Sequence, residues 1–188
     1  MKIFLDTEFT GLHQKTTFIS LGIISEYGDT FYAEFTDYDK TQITKWIQRN
    51  VIDNLILDGK FKAPWYHYTN IDEKICLRVV GDTKYIEVFL KGWMTEILEY
   101  RKEKEIEVWS DCLAYDWVLF NQIFGHAFNL PEYIFYIPFD ICTLMKIKNI
   151  DPDVNREEFI ENIVEGDKHN SLYDAEVIKV CYDKLIKM

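Results

Sequence analysis

The sequence has no long apolar run. Nothing in its 188 residues is long and hydrophobic enough to cross a bilayer as a helix, so no membrane association is expected. Met1-Lys2 leads straight into the apolar residues Ile3-Phe4-Leu5, and no secretory leader is expected there. Paired cysteines are also lacking. Cys76, Cys112, Cys142 and Cys181 are widely spaced and form no Cys-x-x-Cys, which argues against a zinc site and a disulfide framework. Buried free thiols in a reducing cytoplasm are the expectation. Positive charge is scarce: 21 Lys and Arg stand against 32 Asp and Glu, for a net charge of −11. A salt-sensitive duplex binder needs a basic face, so that class is disfavoured, while an enzyme acting on single strands stays open. There is no internal repeat, low-complexity segment or linker. The length fits one domain, residues 1–188.

What is present is a well-stocked core, with 48% hydrophobic and 16% aromatic residues. Its organising stretch is Ile3-Phe4-Leu5-Asp6-Thr7-Glu8. A short continuous apolar run reads as a strand buried on both faces. Residues two apart on a strand point to the same side, so Asp6 and Glu8 project together from its carboxyl end. Ligands of open α/β sheets bind at that end. Two carboxylates placed there repel unless a cation holds them, and oxygen-only donors suit Mg²⁺ or Mn²⁺. Two solvated acids at a strand end are the plainer alternative.

Residues 17–25 and 31–35 read as two more strands, joined into a hairpin by Glu26-Tyr27-Gly28-Asp29. Asp39 and Gln42 mark a helix start, with Ile43, Trp46, Ile47 and Val51 on one face. An irregular insert around 57–80 follows, carrying Lys60, Lys62 and Trp65-Tyr66-His67-Tyr68, with a short strand at 75–80. A long helix begins near Asp82, a strand spans 106–110, a helix 116–128, a strand 133–139 and a short helix 140–148. Helices over 154–164 and 171–186 close the chain. A hairpin followed by alternating helices and strands gives an α/β fold with a mixed sheet.

Four acids beyond the first strand are read in turn. Asp174 shares a helical stripe with Ile178, Cys181 and Leu185. An Asp on a core-facing stripe is paired, metal-bound, or part of a Ser171-x-x-Asp174 capping box. Asp116 opens a helix, where compensation of the helix dipole is the plainer reading. Asp111 reads as a turn or cap residue and Asp140 as a cap. His169 lies in the loop before Asp174, within reach of it, where a histidine can act as a general base.

Taken together these residues form an ordered pattern. Phe4-Leu5-Asp6-Thr7-Glu8-Phe9-Thr10-Gly11-Leu12 resembles the first motif of the DEDD exonucleases. Ala114-Tyr115-Asp116 with Val118-Leu119-Phe120 resembles the second. His169-Asn170-Ser171-Leu172-Tyr173-Asp174-Ala175 resembles the third in its histidine-bearing, DEDDh form. Residues 31–51 are also similar to a small bacterial branch of DEDDh exoribonucleases called polyadenylate-specific-like. Two departures stand out: Asp111 and Cys112 occupy positions where many members have His-Asn, and Phe9 replaces the usual second Thr. The resemblance implies an RNase H-like fold with a mixed five-stranded sheet flanked by helices. It implies a 3′→5′ exonuclease in which Asp6, Glu8, Asp116 and Asp174 hold two Mg²⁺ or Mn²⁺ ions and His169 is the base. Phe9, Thr10 and Leu12 would meet the terminal nucleotide, with Phe9 and Leu12 as core residues the alternative. The insert has no counterpart in the family. Trp65-Tyr66-His67-Tyr68 could form a lid that stacks a second base, and Lys60 and Lys62 could meet phosphates. Aromatics packed on the domain and solvated lysines are the plainer readings. Single-stranded RNA is the expected substrate, in preference to DNA, and homodimers are common among relatives. A DNA-directed exonuclease of this fold and a non-catalytic nucleic-acid-binding module stand as alternatives.

Overall fold

The computed structural model describes residues 1–57, 60–161 and 163–188. Its first strand, β1 (Lys2–Phe9), lies inside a sheet with partners on both sides. It pairs antiparallel with β2 (Phe18–Ser25) and parallel with β6 (Glu107–Ser110). β2 continues antiparallel to β3 (Thr30–Phe35), which pairs in parallel with β5 (Lys74–Gly81). β4 (Trp65–Ile71) closes one edge and the two-residue β7 (Phe139–Asp140) the other. The order is β4-β5-β3-β2-β1-β6-β7, a mixed sheet with α-helices on both faces.

The alternation of β1 builds the two layers. Ile3 and Leu5 enter the larger core, packed against α2 (Thr83–Arg101) and α3 (Leu113–Ile123). Phe4 enters the opposite core with α4 (Ile141–Ile147) and α6 (Ser171–Lys187), where Ile178, Cys181 and Leu185 form the apolar part of the expected stripe. Thr7 therefore faces the α3 layer, while Asp6 and Glu8 face α6. The first turn of α6 comes very close to β2 at Gly22: a Cβ there would lie 2.2 Å from the backbone carbonyl of Ser171. Ser20 and Ser171 hydroxyls meet at 3.0 Å beside this contact.

Buried Asp29 ties the other end of the sheet together. It accepts from Arg101 at 2.7 Å, from the Ile75 amide at 3.0 Å and from the Ser25 hydroxyl at 2.8 Å. Burial pushes its carboxyl up, but Arg101 and these donors hold it below the usual carboxylate range.

The structure departs from the sequence reading in several places. The sheet has seven strands instead of five, and much of the insert at 57–80 is the β4–β5 hairpin. Its turn places Asp72 and Glu73 at φ of +52° and +62°, a left-handed pair usually signalled by Asn or Gly and carried here by two acids. Trp65-Tyr66-His67-Tyr68 is thus an edge strand and no lid. Tyr66 packs on Phe89, and the Tyr68 hydroxyl bonds Glu96 of α2. Residues 58 and 59 lie outside the described residues.

The strand expected over 133–139 shrinks to β7 and a single bridge between Ile106 and Ile134, because Pro138 has no amide to donate. The helix expected over 154–164 is only α5 (Arg156–Phe159), and Glu161 follows at φ +61°. Residue 162 lies outside the described residues. The helix expected from Asp39 divides into a 3-10 turn, Lys40–Gln42, capped by Asp39, and α1 (Lys45–Asn50), capped by Thr44. Of the cysteines only Cys181 is buried, and Cys112 is exposed. No helix among the described residues is long and apolar enough to cross a membrane.

Two substitutions test these constraints. Gly22→Ala pushes a methyl group into the Ser171 backbone and is expected to cost about 1–3 kcal/mol in denaturant melts. An unchanged stability would mean that α6 can retreat freely. Asp29→Asn leaves a partly buried guanidinium without its charge partner and should cost about 2–3 kcal/mol, discounted for the solvent that Arg101 reaches. A loss under 0.5 kcal/mol would show that this pair is not a structural tie.

Candidate active site

Five side chains expected from the sequence converge at the carboxyl end of β1. Asp6 and Glu8 come from the strand itself. Asp116 comes from the first turn of α3 and is fully buried. Its Oδ1 accepts the Thr7 hydroxyl at 2.6 Å and its Oδ2 accepts the Ser110 hydroxyl. Dipole compensation therefore does not exhaust its role: two buried hydroxyls from β1 and β6 fix its orientation.

Asp174 lies in the first turn of α6. The helix cap is not Ser171 but Asn170, whose Oδ1 accepts the amides of Leu172 and Tyr173. Asp174 instead accepts the His169 amide at 2.9 Å. That bond holds His169 at φ +64°, a left-handed conformation that costs most residues about 1 kcal/mol. The imidazole is half-buried, with Nδ1 3.8 Å from Glu8 Oε1 and Trp46 against it edge-on at 5.1 Å. Ligand atoms of Glu8, His169 and Asp174 lie within 4.8 Å of one another.

A cavity of about 200 Å³ opens here, lined by Asp6, Glu8, His169 and Asp174 together with Asp111, Arg156, Glu157 and Lys168. Its acids repel one another in a partly dehydrated space. Burial first, then Asp116, Asp174 and Glu8, push the Asp6 carboxyl well up. Burial, Asp174 and Asp116 raise Glu8 to about 8. Burial raises Asp174 to about 7 against the bond from His169, and Asp116 to about 6 against those from Ser110 and Thr7. His169 is pushed the other way, chiefly by burial and then by the Lys168 charge, which favours the neutral imidazole.

The donor set fits hard divalent cations. It offers carboxylate oxygens in excess, and the one guanidinium lining the cavity is already engaged. Arg156 makes a two-pronged pair with Asp111, both bonds at 2.9 Å, and reaches the Cys142 sulfur at 3.1 Å. Asp111 is thus no simple turn residue. Its partner lies 45 positions away, and no spacing rule in the sequence links the two. Asp140 is the cap of α4, as expected.

The residues expected at the terminal nucleotide separate in space. Leu12 is 73% exposed. Phe9 packs on the core edge and stacks on Tyr115 at 5.3 Å. Thr10 is buried. Its hydroxyl accepts the Thr17 amide at 2.9 Å and bonds the Gln42 side chain, so it shapes the turn from within. Trp46, placed from sequence on the apolar face with Ile43, Ile47 and Val51, is instead exposed and lies edge-on against His169, and no sequence signal pointed to that contact.

The strand order, the two helical layers and the acids at the end of β1 define an α/β protein of RNase H-like fold. It is similar to S. pombe Pop2p in its Mg²⁺- and Mn²⁺-bound form, with a TM-score of 0.64 over 98% of this chain and 82% of that one. Sequence identity in that match is 13%, so the likeness is one of fold. The chain belongs to the 3′-5′ exoribonuclease Rv2179c-like domain family, whose model matches residues 1–185. It is similar to two Mycobacterium tuberculosis proteins, 3′-5′ exoribonuclease Rv2179c of strain ATCC 25618 / H37Rv and 3′-5′ exoribonuclease MT2234.1 of strain CDC 1551 / Oshkosh. Each is 26% identical over 131 residues, which is 70% of this chain. The match spans 66% of those relatives' length, just under two thirds.

The raised carboxyls set a pH dependence. Groups whose folded pKa lies above the unfolded value near 4 stabilise the fold while protonated, and that contribution is lost as pH rises through the folded values. In chelator, the melting temperature should therefore fall as pH rises through about 6, 7 and 8, the values of Asp116, Asp174 and Glu8. Added Mg²⁺ or Mn²⁺ should raise it more at pH 8 than at pH 5.5. A melting temperature that climbs over this range in chelator would contradict the clustering of the acids.

Proposed function

We propose that this chain is a 3′→5′ exoribonuclease that shortens single-stranded RNA by releasing nucleoside 5′-monophosphates. The observation that carries the reading is the convergence of Asp6, Glu8, Asp116 and Asp174 with His169 at one strand end. Membership of an exoribonuclease family supports it. Two Mg²⁺ or Mn²⁺ ions held by the four carboxylates would supply neutralisation of the scissile phosphate and a water of lowered pKa.

The chain's own groups divide the remaining work. His169 is held by Asp174 through its backbone, which leaves the imidazole free to take the proton of the attacking water. Its lowered pKa keeps it unprotonated at neutral pH, the form a base requires. Thr7 and Ser110 each spend a hydroxyl proton on Asp116, which stays oriented when its charge is called on. Thr10 fixes the turn that presents Phe9 and Leu12 to the terminal nucleotide. The same reading extends by family resemblance to RNA over DNA, a cytoplasmic location and a homodimer.

The test uses 5′-labelled single-stranded RNA and the matching DNA, each in Mg²⁺, in Mn²⁺ and in EDTA. RNA should shorten as a metal-dependent ladder from its 3′ end. Asp6→Ala and Asp174→Asn should abolish the ladder. His169→Ala should slow turnover at least about 100-fold with the melting temperature nearly unchanged. A near-normal rate in His169→Ala removes it from the base role, and shortening of DNA alone moves the substrate to DNA.

A further inference from the structure

Residues on one row of a sheet share a face. The row that contains Glu8 continues through Ser20, Glu34 and Val80 to Trp65 on the edge strand. Trp65 thus shares the face and the sheet end of the catalytic acid, four strands away. At about 4.8 Å per strand that is roughly 19 Å. Around Trp65 the side chains are aromatic, with their rings nearly parallel. Phe61, 41% exposed, stacks on Trp65 at 3.7 Å with the rings 10° apart, and His67 continues the row at 6.1 Å and the same 10°. Arg78 lies opposite His67 on this face. It is exposed and makes no ion pair among the described residues.

The chain that leads there is basic in an otherwise acidic protein. Between residues 40 and 70 it carries five Lys and Arg, against two Asp and no Glu. Lys45 and Arg49 sit on exposed positions of α1, whose Trp46 touches His169. Lys60 and Lys62 are exposed beside Phe61. The acids Glu165, Asp167 and Glu176 line a cleft beside Tyr173 that also takes in Asn54 and Ile56 of this stretch, and they repel a polyanion there. Exposed cations in the same stretch of chain as stacked aromatics are the elements of a sequence-tolerant single-strand site.

We propose that the Phe61–Trp65–His67 stack, with Lys60, Lys62 and Arg78, is a distal platform for single-stranded RNA, holding bases upstream of the 3′ end while that end lies at Glu8. The proposal rests on the exoribonuclease reading for its polarity. A strand that advances about 3.4 Å per nucleotide when stacked, and more when splayed, covers the separation in roughly four to six nucleotides. Short oligonucleotides reach only the catalytic end, and longer ones engage both.

The experiment compares a 5′-fluorescein RNA decamer with a trimer by anisotropy in EDTA, where no turnover occurs. The native chain should bind the decamer at least about tenfold more tightly than the trimer. Phe61→Ala/Trp65→Ala should erase that advantage. The exposed Lys60→Glu/Lys62→Glu/Arg78→Glu variant, which keeps the fold, should also erase it and flatten the salt dependence. Trimer hydrolysis in Mg²⁺ should be the same in the triple variant as in the native chain. A decamer advantage that survives in the triple variant, or is missing from the native chain, overturns the platform. A change confined to sedimentation mass makes the free edge of β4 a contact between copies and also overturns it. Failure of the native chain to hydrolyse RNA of any length strikes the exoribonuclease reading instead, and the anisotropy result stands apart from it.

Discussion

The close approach of α6 to β2 at Gly22 is the constraint on which the site depends. Gly22 lies directly opposite Asp6, so the point where the helix touches the sheet is one residue pair away from the organising acid. Any side chain there would hold the Ser171 backbone off the sheet. Because Asp174 follows Ser171 by one turn, its distance from Asp6 and Glu8 is set by that contact. His169 follows in turn, since its backbone bonds the Asp174 carboxylate. One missing Cβ thus sets two of the five convergent groups, Asp174 and His169, against the two acids of the strand.

The price of that geometry is electrostatic. Carboxylates from a strand and two helices are pressed together where water is partly excluded, and each is pushed toward its protonated form. The surrounding structure does little to relieve this. The neighbouring guanidinium of Arg156 is taken by Asp111, and Lys168 pairs with Glu157. Only Asp116 is well furnished, with two hydroxyl donors. Buried like charges without protein counter-ions are an arrangement that external cations complete. The sheet tolerates it because the two apolar cores on either side of β1 hold the strand in place.

The α/β class, the placement of Asp6 and Glu8 on one face, and the stripe of α6 were legible in the sequence. Each rests on a local period, two for a strand and 3.6 for a helix, read over a few adjacent residues. The edge hairpin was not legible. Its turn uses Asp72 and Glu73 in left-handed conformations without the usual glycine, and its strand is aromatic enough to pass for a loop cluster. Pro138 cut short a strand that composition alone favoured. Thr10, expected to face the nucleotide, turned inward because Thr17 and Gln42 supply hydrogen-bond partners that only the folded chain brings near.

By itself the sequence determined which acids and which histidine the fold would gather at one strand end, because local spacing sets it: Asp6 and Glu8 two apart on a strand, and His169 five before Asp174. Tertiary structure alone decided what surrounds them. Asp111 with Arg156, Trp46 against His169, and Trp65 on the same sheet row as Glu8 are pairings between residues far apart in the chain. No local period encodes such pairs, since they arise only when strand register and helix packing fix which distant side chains share a face.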